Sequence, residues 1–189
     1  MPHNPLRRAP NVPADVLARV SLGRGDKVLA AAVADDGTWL LGTRDALLVV
    51  PLQPSGSASA AVESGSAALG SVLPWQRIET VDWDRDAGRL TVAEVGDFGQ
   101  VRPSYSFEID DPGLLAQLVR ERVTASVVLQ RRVAVAGGKG LNVVARRAPR
   151  SRGSITWAYE FDPGVDPDDP EVTQAARRGL ESAAEELGM

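Results

Sequence analysis

The sequence predicts a mainly β, α+β chain: short antiparallel strands, one amphipathic helix after the middle and a second at the C-terminal end. Three observations carry this. Apolar and polar residues alternate in short runs separated by compact turn signals such as Asp35-Asp36-Gly37 and Asp86-Ala87-Gly88. Twice the period changes to a helical one, after Asp111-Pro112 and after Asp169-Pro170. Between the strand runs, residues 53–72 are small and polar, with too little side-chain surface to offset their ordering entropy, so a flexible loop is expected there.

Residues 1–19 begin with closely spaced prolines and show no periodicity, which predicts a flexible N-terminal arm. Strands are expected at Val28–Ala34, Trp39–Thr43 and Ala46–Leu52. Asp35-Asp36-Gly37 joins the first pair as a hairpin, and a tight turn at Arg44-Asp45 joins the second. Trp75–Asp84 and Arg89–Val95 form a second hairpin turning at Arg85-Asp86-Ala87-Gly88. Alternation puts Ile78 and Val81 on opposite sides of that strand, so a bend or bulge is expected near Glu79-Thr80. Val101–Ile109 adds a strand with Tyr105 and Phe107 on one side. A helix follows, capped by Asp111, with Pro112 in its first turn and an apolar stripe of Leu115, Leu118, Val119 and Val123.

Residues 126–189 predict a three-stranded meander and a helix. The strands are Ser126–Val135, Leu141–Ala148 and Ser154–Asp162, turning at Gly137–Gly140 and Pro149–Gly153. The helix repeats the cap-and-proline start at Asp169-Pro170. Its stripe is Val172, Ala176, Leu180, Ala183 and Leu187, and Gly188 closes it.

Over residues 20–125 the order of strands, loop, strands and closing helix resembles the pleckstrin-homology-like barrel family, including its GRAM and bacterial members. The segments that carry the resemblance are GTWLLGTRDALLVVPL and LPWQRIETVDWDRDAGRLTVAEV. It implies a PH-like antiparallel split barrel, in which two nearly orthogonal sheets are plugged by the helix. In such a barrel Trp39, Trp75 and Trp83 fill the space between the sheets, each burying on the order of 200 Å². The alternative is a surface aromatic that anchors a peptide or a lipid. Lipid-binding members carry basic residues on the first two strands and their turn. Here that turn is Asp35-Asp36-Gly37, and Arg24 and Lys27 make no cluster, which argues against phosphoinositide binding. The whole chain also resembles an uncharacterised actinobacterial family, in keeping with a composition in which Arg almost replaces Lys.

Composition removes several classes of chemistry. There is no cysteine, and the one histidine is His3 in the N-terminal arm, so thiolate chemistry, disulfides and imidazole catalysis are not expected. No apolar run is long enough for a membrane span, and the basic N-terminus lacks the apolar core of a signal peptide; a cytoplasmic location is expected. Ala-Gly-Gly-Lys139-Gly fails the phosphate-loop pattern, since Val133 stands six residues before the lysine and Gly140 follows it. The acids Asp162, Asp166, Asp168, Asp169 and Glu171 are interrupted by prolines and suit helix capping better than a calcium loop. Asp82, Asp84 and Asp86 flank a turn, where solvated carboxylates are ordinary. No enzyme, cofactor or metal is expected.

The unusual feature is charge distribution. Residues 120–152 hold nine basic residues and one acid, whereas residues 160–186 hold nine acids and two arginines. Arg131, Arg132, Arg146 and Arg147 occur as adjacent pairs on paired strands, and Lys139, Arg150 and Arg152 lie in the turns. Neighbours on a strand face opposite ways, so one arginine of each pair faces outward and the other leans toward the domain. Like charges across a ladder repel unless anions intervene. Those anions are the protein's own acidic C-terminal helix, an acidic partner, an acidic lipid headgroup or nucleic acid. Aromatics for base stacking, Trp157 and Tyr159 among them, are confined to the third strand and do not interleave with the arginines, which disfavours nucleic acid. The expected function is a non-catalytic interaction module that binds another protein or itself. The alternative is anionic-ligand binding through the arginine-rich strands.

Overall fold

The computed structural model describes residues 11–23, 25–51, 71–96, 102–149 and 153–189. Helices and antiparallel sheets are mixed. The first sheet runs β1 (Ala30–Val33), β2 (Trp39–Gly42), β3 (Ala46–Val50) and β4 (Val72–Pro74), in that order. The second runs β5 (Ile78–Asp84), β6 (Arg89–Glu94) and β7 (Ser104–Glu108). Helix α2 (Leu114–Ser126) follows. The third sheet has β9 (Gly140–Arg146) between β8 (Val127–Ala134) and β10 (Thr156–Phe161). Helix α3 (Pro170–Glu186) packs on β8 and β9. Among the described residues no strand pair closes a barrel, and no helix is long and apolar enough to cross a membrane.

Turn chemistry matches the sequence. Gly37 at φ 82° closes the β1–β2 hairpin, and Asp36 Oδ1 accepts from the Thr38 N–H at 2.9 Å. Gly88 at φ 60° does the same for β5–β6, where Asp84 Oδ1 accepts two turn N–H groups. The register shifts between Ile78 and Thr80, where the bulge was expected. Asp169 caps α3 by accepting from the Glu171 N–H at 2.8 Å, with Pro170 in the first turn. Val172, Ala176, Leu180 and Ala183 then face the third sheet.

The main core lies between the first two sheets and α2. Leu40, Leu47, Trp75, Ile78, Leu90, Val92, Ile109, Leu115 and Val119 meet there. Tyr105 and Phe107 of β7 join on one side, as their spacing requires. Gly42 lets α2 approach: a Cβ there would come within 2.6 Å of Leu118 Cδ2. Opposite this core, the first sheet is covered again. Leu41, Leu48 and Val50 pack with Val16 of α1 (Ala14–Leu17) and with half-buried Val12, Val20 and Trp39.

Several expectations change. Trp39 lies on this second face, because Leu40 beside it in β2 points into the main core. Trp75 is 0% exposed, but it opens a 3-10 turn, Trp75–Arg77, and the strand begins at Ile78. Its indole N–H donates to the Arg44 carbonyl at 3.0 Å, tying that turn to the β2–β3 turn. Trp83 is half-buried at the edge of the main core. β4 was not expected: Val72 at the end of the proposed loop pairs with Leu48. Most of that loop, 53–70, lies outside the described residues, as do Leu52 and residues 1–10 of the arm. The rest of the arm includes α1, whose Val16 is 1% exposed, so the packed part of the chain starts before residue 20. At α2, Asp111 accepts from the Gly113 N–H, but the helix starts at Leu114 with Gly113 at φ 49° as its cap.

Candidate functional site

The arginine-rich sheet follows directly from α2. Ser126, fully buried, ends the helix and Val127 begins β8 without a loop. Leu129, Val133, Leu141, Val143, Trp157, Tyr159 and Phe161 face α3. The opposite face meets the first half of the molecule through Val127, Val144, Ala158 and Val95.

Alternation separates Arg131 from Arg132 as expected, and each finds an internal acid. Arg131 donates to Glu186 of α3 at 2.8 Å. Arg132 makes a two-pronged contact with Asp162, whose carboxylate also accepts from the Gly140 N–H at 2.8 Å. The hydrogen bond from Arg132 holds the Asp162 carboxyl below its ordinary range. Lys139 Nζ donates to the Gly164 carbonyl at 3.1 Å. The structure thus shows the chain's own acids and carbonyls engaging the cations for which an external anion was one candidate.

Arg146, counted among the candidate binding residues, is the member of its pair that leans toward the domain. It is 3% exposed, because β9 is the central strand and this face is pressed against β5. Its guanidinium donates to the carbonyls of Ile78 at 3.2 Å and Glu79 at 3.3 Å and to Ser126 Oγ at 3.3 Å. Glu160 of β10 lies 3.5 Å away. Arg147 is half-exposed beyond the strand end, and its N–H donates to the Ser126 carbonyl. Arg150 and Arg152 lie outside the described residues.

Two residues at this seam escaped the sequence reading. Glu79, 8% exposed at the β5 bulge, receives Arg102 Nη1 at 2.6 Å. Arg102 also donates to the Tyr159 carbonyl at 2.9 Å. Burial raises the Glu79 carboxyl, Arg102 opposes this, Glu160 adds to it, and Arg146 opposes it. Glu79, Arg102, Arg146 and Glu160 form a polar clasp between the two halves, in which Glu79 and Arg146 are buried while Arg102 is exposed and Glu160 half-buried.

A different surface is open. Among the described residues β1 pairs with β2 alone, and just past its end the Asp35 N–H donates to the Glu108 carbonyl of β7 at 2.9 Å. Beside β1 runs a cleft of about 630 Å³, floored by Ala31, Val33 and Trp39 and rimmed by Asp35, Asp110 and Asp111. Among the described residues, no cluster of three His, Cys, Asp or Glu side chains is arranged to hold a metal ion. No family model, curated protein or solved structure matches this chain.

Proposed function

We propose that this chain is a non-catalytic interaction module that holds another protein, or a second copy of itself. The observation that carries this is the open edge of β1, with half-buried Trp39 and exposed Val33 beside it. Unpaired strand edges recruit other chains through their free N–H and C=O groups. The antiparallel sheets of four and three strands followed by α2 support reading residues 20–125 as a PH-like unit, used here as a scaffold. The internal pairing of Arg131, Arg132 and Arg146 weighs against anionic-ligand binding as the main role.

Capture from a lysate of the source organism on the immobilised full chain, with light scattering of the purified protein, tests the reading. A captured protein that rebinds in purified form, or a concentration-dependent dimer, is expected. A strictly monomeric chain that retains nothing overturns it. Salt-sensitive retention on heparin, lost in Arg131→Glu/Arg132→Glu, would instead favour an anionic ligand.

A further inference from the structure

We infer that the cleft along β1 takes an extended, arginine- or lysine-bearing peptide segment of a partner protein, which adds as a fifth strand to the first sheet. This rests on the interaction-module reading and gives it a surface and a ligand chemistry.

The backbone supplies the first argument. The Ala34 N–H donates to the Thr38 carbonyl at 2.8 Å across the hairpin. Antiparallel hydrogen-bonded pairs alternate, so Ala32 turns its N–H and C=O toward β2, and Ala31 and Val33 turn theirs away. These outward groups form a short docking edge that ends at Asp35, whose N–H already donates to the Glu108 carbonyl at 2.9 Å. Side chains supply the second argument. Val33 is 46% exposed and pairs with Trp39 across the strands, so an incoming strand meets apolar surface on this face. Its residues alternate in direction, placing every second one over the same face.

Charge supplies the third. Asp35, Asp110 and Asp111 are exposed at the rim, and none of them is in an ion pair among the described residues. Basic side chains complement them, and a guanidinium also stacks favourably on an indole. The same carboxylates disfavour a second copy of this chain, because edge-to-edge pairing across a two-fold axis would set them against themselves. Asn11 lines the cleft, which brings Arg7 and Arg8 near it in sequence. Yet prolines at positions 2, 5 and 10 of that segment offer no N–H to a ladder, so it makes a poor added strand.

The test uses the full chain and an acetylated, amidated Arg-Val-Arg-Val-Arg peptide, with Glu-Val-Glu-Val-Glu as control. Binding is read by amide NMR shifts and hydrogen exchange. The basic peptide is expected to shift and protect the Ala31 and Val33 amides, the acidic one to leave them unchanged, and added salt to weaken the effect. Val33→Pro removes an outward N–H without touching the β2 ladder, and Asp110→Asn/Asp111→Asn removes charge; each is expected to weaken binding about tenfold with the melting curve kept. Unchanged affinity in Val33→Pro, or shifts confined to another surface, would overturn the proposal. So would binding that appears only after residues 1–10 are deleted, since the chain's own segment would then be the occupant. If the wild-type chain retains a partner that Val33→Pro with Asp110→Asn/Asp111→Asn retains equally, this cleft is wrong while the interaction reading stands. If neither peptide nor partner binds and the chain stays monomeric, both fall.

Discussion

In β3 every residue from Ala46 to Val50 is buried, whereas β8 from Gln130 to Ala134 alternates exposed with half-buried residues. β3 belongs to a sheet covered on both faces, by the main core and by the α1 layer. The third sheet has α3 on one side, packed through small residues such as Ala176, Gly179 and Ala183, while its aromatics stay half-buried. Its other side leans on the first half through a few aliphatic contacts and the Arg146 clasp. Three strands and one helix make a small core, and small cores are marginal alone. The first half has the burial to be self-sufficient; the second depends on its seam.

The largest effect expected from this contrast is Trp75→Ala. It empties the centre of the main core and leaves the Arg44 carbonyl without its indole donor. Such truncations cost about 3–5 kcal/mol. Trp157→Ala, in the half-buried rim of the third sheet, is expected to cost about 1 kcal/mol. Urea unfolding of both variants measures the gap. Equal losses would mean that the two halves are not stabilised differently.

Period and turn chemistry made most elements readable, since each depends on neighbours in the chain. The β1–β2 and β5–β6 hairpins, the α2 stripe and the Asp169 cap of α3 all follow from local spacing. β4 was hidden because three residues, Val72 to Pro74, carry no period of their own; β3 holds them in place. Trp39 was misassigned because size implies burial but not which face of a sheet is buried. The site was the least legible part. Charge counting found the arginines of β8 and β9, but the position of Arg146 depends on β5 lying across it, a contact between residues far apart in the chain. The open β1 edge has no sequence signature, since edge status is a property of sheet order.

The clasp provides the second break point. Arg146→Ala leaves the Ile78 and Glu79 carbonyls and Glu160 without their donor inside a closed seam. Removing one partner of a fully buried pair costs about 3–5 kcal/mol; Glu160 retains some water, which puts the expected loss at about 2–3 kcal/mol. Arg131→Ala, whose pair with Glu186 is exposed, is expected to cost less than about 1 kcal/mol. Hydrogen exchange locates the damage. Arg146→Ala should speed exchange in β9 and β10 and leave β2 and β3 protected. Equal acceleration in all four would show one cooperative unit.

The smallest effect is a pH slope from Glu79. Its carboxyl is raised above the ordinary 4.5, with burial as the leading cause, although Arg102 and Arg146 face it along with Glu160. The folded protein therefore holds this proton more tightly than the unfolded chain does. By linkage, the group's contribution to stability is highest below 4.5 and falls as pH rises through the raised native value, then levels off. Glu79→Gln has no such proton to lose. Denaturant unfolding of both proteins between about pH 4 and pH 7 should show the variant gaining on the wild type as pH increases. If the wild type gains instead, Arg102 and Arg146 outweigh burial. The seam would then be held by charge pairing, and the second half would be anchored more firmly than its small core implies.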